Sequence, residues 1–172
     1  CRFPGAPDLR SFWRLIDEGR SAASEVPADR WNADAFFDAT GETPGKMSVR
    51  WAAFIDNPDQ FDPQFFGISP REAPYVDPQH RLLLETAWEA IEDAGLVLDL
   101  EKGTDLGVFV GISHNDYQII QGTPWDSQGI SPHSPTGSAH SIAANRISYC
   151  LNLRGPSVAM DTACSSALTA VH

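Results

Sequence analysis

At 172 residues the chain is long enough for one ordinary domain with a core of its own. Its 42% apolar and 20% charged content exclude a disordered or fibrous protein, and no run of about 18 apolar residues is present to span a membrane. The net charge of −11 argues against nucleic acid and anionic membranes as partners, since phosphate binding needs a surplus of Lys and Arg; a solvated acidic surface is the plain reading.

The chain opens at Cys1 with no initiating Met, and Cys1-Arg2-Phe3-Pro4 lacks the basic-then-apolar order of a secretory leader. It stops at His172 inside an apolar-periodic stretch, so it reads as a piece cut at both ends. Residues 4–20 predict a short helix, capped by Asp8, with Phe12, Leu15 and Ile16 on one face. Residues 26–68 are dense in aromatics, Pro and Gly and predict an irregular excursion anchored by rings, with one strand over Val49–Ile55.

The clearest element is a helix from Pro78 to Ala94, with Asp77 as its cap, Pro78 at the first position and Gly95 as its stop. Leu83, Ala87, Ala90, Ile91 and Ala94 recur at helical spacing and predict its buried face, while Arg81 and Glu85 stand four apart, within pairing reach. The continuous apolar run Leu106–Ile112 predicts a strand covered on both faces. Residues 113–137, polar and rich in Gly, Pro and Ser, read as a long loop. A helix over Ser141–Leu151, a turn at Gly155-Pro156, a strand over Ser157–Thr162 and a helix from Cys164 onward complete the pattern. Helices alternate with buried strands, so the class is α/β.

The three cysteines, at positions 1, 150 and 164, show no CxxC or Cys/His ligand spacing, so no metal site is expected. Their odd number and low density suit a reducing cytosol. Cys164 lies where a strand hands over to a helix, a sharp turn of the nucleophile-elbow kind. Unpaired N–H groups and the helix dipole stabilise a thiolate there, and the same N–H groups can hold the oxyanion of an attacked thioester. Ala163, Ser165 and Ser166 are small enough to admit a substrate. From spacing alone the inert, packed cysteine remains the commoner alternative. Cys150, between Tyr149 and Leu151 in an apolar helical stretch, reads as packing, and Cys1 cannot be judged.

The residues also resemble a known family. Asp161-Thr162-Ala163-Cys164-Ser165-Ser166-Ala167-Leu168 is similar to the active-site motif of β-ketoacyl synthases, and Ala143–Tyr149 with Leu153–Ser157 resembles the approach to it. Asp77–Glu85 with Trp88–Gly95 resembles the family's long helix, and Cys1–Gly5 and Phe65–Glu72 match as well. These segments fall in order along nearly the whole chain, in the manner of large type I systems and of modular polyketide synthases in particular, with animal-type and polyunsaturated fatty acid synthases as near neighbours. Ala167 and Cys150 depart from the commonest pattern, where a third Ser and a larger residue are frequent; neither touches Cys164.

The resemblance implies a thiolase-like fold of layered α/β/α/β/α type, of which residues 1–172 form a partial N-terminal domain truncated at both ends. It implies a homodimer, with the strand at 157–162 as a candidate for pairing across it, within a multidomain synthase. It implies Cys164 as the acyl-thioester nucleophile, no bound cofactor, and substrates delivered on the phosphopantetheine of an acyl carrier protein. The implied reaction is decarboxylative condensation with a malonyl-type extender. The family's two catalytic histidines come from its C-terminal half. His80, His114, His133, His140 and His172 do not match their contexts and are read as solvated or hydrogen-bonding. The acidic carrier would dock on basic patches such as Arg10, Arg14 and Arg20, or on the other half. A non-elongating homologue with an acyl-transfer or scaffold role only, a Cys/His hydrolase and a thiolase are the competing readings.

Overall fold

In the computed structural model, which describes residues 1–122 and 131–172, the chain divides into two units, Cys1–Pro58 and Asp59–His172. The first begins as the sequence predicts. Helix α1, Leu9–Asp17, starts where the Asp8 carboxylate accepts from the Ser11 N–H. Phe12 and Leu15 on it are half-buried, with Phe12 stacked on Phe3 at 4.1 Å, but Ile16 is exposed.

Beyond α1 the unit is made of short pieces. Strand β1, Ala23–Glu25, pairs antiparallel with β2, Trp51–Ala53, and helix α2, Ala33–Phe36, is capped by Asn32. The strand expected over 49–55 is therefore present but shorter. Its partner β1 has no apolar alternation and could not be read locally. Nor are the rings here deep anchors: Trp31, Phe36 and Trp51 are exposed, and Arg30 and Arg50 lie over Phe54 and Phe37.

The second unit is built around helix α3, Pro78–Asp93. Asp77 accepts from the Gln79 N–H at 2.7 Å. At the far end Gly95 takes φ +65, and the pair Gly95 N–H to Glu92 O and Leu96 N–H to Ile91 O closes the helix. The buried face is the expected one only in part: Ile91, Leu83 and Ala87 lie in or against the core, but its centre is shifted. His80, Leu84 and Ile91 point into the core, Leu83, Ala87 and Trp88 pack half-buried beside it, and Ala90 and Ala94 are exposed. Alanine is apolar enough to enter a periodicity count but loses little by facing water, so Ala90 and Ala94 drew the expected stripe to one side of the true one.

Strands β3, Val108–Gly111, and β4, Ser157–Met160, pair in parallel, with Val110 opposite Ala159 and Phe109 opposite Val158. Helix α6, His140–Cys150, lies in the connection between them and buries Ala143, Ala144, Ile147 and the adjoining Leu151 with Val110, Ile112 and Leu84. The expectation that β3 is covered on both faces is corrected here: Val110 is buried but Phe109 is 51% exposed.

Of the loop expected over 113–137, residues 123–130 lie outside the described residues. The described parts carry two short helices, α4 at Asp116–Gln121 and α5 at Ser134–Ser138. They are held in place by neighbouring backbone: Tyr117 Oη donates to Pro74 O and Gln121 Nε2 to Tyr75 O, both carbonyls of a 3₁₀ turn at Ala73–Tyr75, while the Asp77 N–H at the start of α3 donates to Gly137 O. Among the described residues no helix is long and apolar enough to cross a membrane.

Candidate active site

Cys164 stands on the expected strand-to-helix turn and is exposed. Strand β4 ends at Met160 and helix α7 spans Ser166–Val171, two residues later than the sequence places its start. Between them Ala163 takes φ +54. For a residue with a Cβ this left-handed conformation costs about 1–2 kcal/mol, so neighbouring contacts must hold it.

Hydroxyl groups do so. The Ala163 N–H donates to Asp161 Oδ1 at 2.9 Å. The Thr162 N–H donates to Ser166 Oγ at 2.9 Å, and that hydroxyl donates in turn to Ala163 O at 2.7 Å. Ser165 Oγ lies 2.8 Å from Thr162 Oγ1, and Thr169 donates to Ser165 O at 3.0 Å. The Thr162 and Thr169 hydroxyls lie 3.1 Å apart, within hydrogen-bonding distance.

Helix α7 seats directly on β3 because position 111 is glycine. A Cβ there would lie 2.6 Å from the Ser166 carbonyl carbon and 2.8 Å from the Ala167 nitrogen. The sequence marked Ser166 only as small, with room for a substrate beside it. Its side chain is instead buried beneath the turn. The five hydroxyl and carboxyl side chains between Asp161 and Thr169 were the available signal, since such groups compete for backbone partners at turns.

The other cysteines and histidines are elsewhere. Cys150 is half-buried against the core with Sγ donating to Phe66 O at 3.5 Å, and burial pushes its thiol pKa up against a smaller opposing pull from the Arg146 charge. His140 Nε2 lies 3.1 Å from His114 O, in keeping with the expected hydrogen-bonding role. His80 does not follow that expectation. It is 1% exposed, neither ring nitrogen has a partner among the described residues, and burial, aided by the charges of Arg146 and His140, lowers its pKa to about 4. Arg146 itself is buried and ion-paired to Glu72 at 2.7 Å. Among the described residues no cluster of His, Cys, Asp or Glu is placed to hold a metal ion.

A parallel β3–β4 pair, a covering helix on one face and a cysteine-bearing turn leading to a helix on the other define the class as thiolase-like α/β, N-terminal portion. Solved structures place it there: the oxazolomycin ketosynthase domain of Streptomyces albus JA3453 superposes with a TM-score of 0.89 at 42% identity, over 99% of this chain and 30% of that one. The ketosynthase from module 6 of the bacillaene synthase of Bacillus subtilis 168 gives 0.79 at 35% identity, over 99% and 26%.

Residues 1–172 match the family model for the β-ketoacyl synthase N-terminal domain, and the chain belongs to that family, as an N-terminal-half portion of a polyketide-type ketosynthase. A phenolphthiocerol/phthiocerol polyketide synthase polypeptide of Mycobacterium tuberculosis is 52% identical across the whole chain, and the mycocerosic acid synthase-like polyketide synthase of Mycolicibacterium smegmatis is 44% identical. The chain spans 11% and 8% of the length of those two relatives.

Proposed function

We propose that Cys164 is the acyl-carrying nucleophile of a condensing ketosynthase, of which this chain is part of the N-terminal domain. The observation that carries the reading is the exposure of Cys164 on a left-handed, hydroxyl-braced turn inside the family's motif. In the first stage the Cys164 sulfur attacks the carbonyl of an acyl thioester on the phosphopantetheine of an acyl carrier protein. The Cys164 N–H receives the oxyanion, and the pantetheine thiol leaves. In the second, a malonyl-type extender loses CO2, its carbanion attacks the Cys164 thioester, and the sulfur is released as the β-ketoacyl product forms. The polarising histidines of that stage belong to the family's C-terminal half.

The site works in a homodimer and within a multidomain synthase in the cytoplasm. Support for the dimer is β4 itself, which among the described residues pairs only with β3 and leaves Val158 39% exposed. Tethering the carrier in one polypeptide raises its effective concentration, which offsets the repulsion between two acidic partners.

The test is mass spectrometry of the full parent chain after incubation with an acyl carrier thioester. An acyl group on the Cys164 peptide, lost in Cys164→Ala, supports the reading; an adduct that survives Cys164→Ala overturns it. Product formation with the extender then separates condensation from bare acyl transfer, the activity of a non-elongating homologue. The 172-residue chain alone is expected to be inactive, and full turnover by it would contradict the reading.

A further inference from the structure

We infer that Ser166 is a positioning residue for acyl transfer, acting by fixing the direction of the Cys164 N–H; the inference rests on the reading of Cys164 as nucleophile. The Ala163 carbonyl and the Cys164 N–H belong to one planar peptide unit and point opposite ways. Whatever grips the carbonyl therefore aims the N–H. Ser166 grips it twice, with its hydroxyl at 2.7 Å and its own N–H at 3.0 Å. The same hydroxyl accepts from the Thr162 N–H at 2.9 Å, so one oxygen joins the residue before the left-handed Ala163 to the carbonyl that leads out of it.

Without the hydroxyl, the peptide unit keeps only the Ser166 N–H and is free to rock about the strained Ala163. Rocking would turn the Cys164 N–H away from the oxyanion while leaving the sulfur exposed. Ser166 is suited to this because it is buried and cannot swing out. The space for it exists only because Gly111 presents no side chain to the Ser166 and Ala167 backbone.

Two reactions of the same sulfur separate this role from simple support. Acyl transfer from a thioester passes through an oxyanion, whereas alkylation by iodoacetamide does not. In the full parent chain, Ser166→Ala should lower the single-turnover acylation rate with an N-acetylcysteamine acyl thioester by roughly 10- to 100-fold, in line with the cost of losing an oxyanion donor. The alkylation rate of Cys164 should stay within about twofold, and Ser166→Thr, which keeps the hydroxyl, should restore most of the acylation. Both reactions are followed on monodisperse folded protein and fitted as first-order rate constants, so that a residual unfolded fraction alters the amplitudes and not the ratio of the constants. An unchanged ratio in Ser166→Ala, whether neither rate falls or both fall together, overturns the inference. Acylation that persists in Cys164→Ala would instead remove the reading beneath it.

Discussion

The two faces of the β3–β4 sheet are held by different forces. On the inner face Val110 meets Leu84, Ile147 and Leu151 in a packed apolar cluster, and α6 adds one polar stitch, Ser148 to Ser157 at 3.0 Å. On the outer face Phe109 and Val158 are exposed, and α7 is held by small residues and hydroxyls around Cys164. Apolar packing is strong but non-directional, whereas hydrogen bonds are weaker and aim atoms. The inner face supplies the stability that lets the outer face carry strain at Ala163.

Breaking the inner face should cost most. Leu84 is fully buried, and Leu84→Ala in the parent domain should lower unfolding free energy by about 2–5 kcal/mol, read from the denaturant midpoint. Acylation per folded molecule should be unaltered, and a matching fall in that rate would join the two faces that the comparison separates.

Next comes acid. His80 is held neutral with its pKa lowered to about 4, chiefly by burial, against 6.5 for the unbonded side chain. The unfolded chain therefore binds a proton that the folded chain refuses. The stabilisation is complete above pH 6.5 and is lost progressively as pH falls toward 4, on the order of 3 kcal/mol in all. Urea unfolding at pH 7 and pH 5 should show this slope, and His80→Gln should flatten it; an identical slope in the variant would exclude His80 as the source.

Gly111→Ala tests the point where α7 meets β3. Its Cβ would fall 2.6 Å from the Ser166 carbonyl carbon, and overpacking of that kind costs about 1–3 kcal/mol. Acylation should fall beyond the loss of folded protein, because the displaced residue is Ser166.

The smallest effect has the opposite sign. Ala163→Gly removes the left-handed strain and should stabilise the domain by up to about 1 kcal/mol, while acylation slows because the freed turn no longer holds the Cys164 peptide in one orientation. A variant both more stable and equally fast would show that the strain serves no positioning purpose.

Wherever the code was local, the sequence alone determined this protein's structure. The Asp8 and Asp77 caps, the Gly95 stop, the apolar runs at β3 and β4 and the turn at Cys164 could all be read, because each depends on neighbours within a few residues. Tertiary structure decided the rest. β1 exists only because β2 lies beside it, α4 because the 3₁₀ turn's carbonyls accept from its polar side chains, and α5 because its Gly137 carbonyl accepts from the Asp77 N–H. The true stripe of α3 depended on which side met α6, so His80 went inward and Ala90 outward. Ser166 was legible as a small residue but not as a brace, since its direction is set by a backbone twist at Ala163 and by an absent side chain 55 positions upstream, at Gly111.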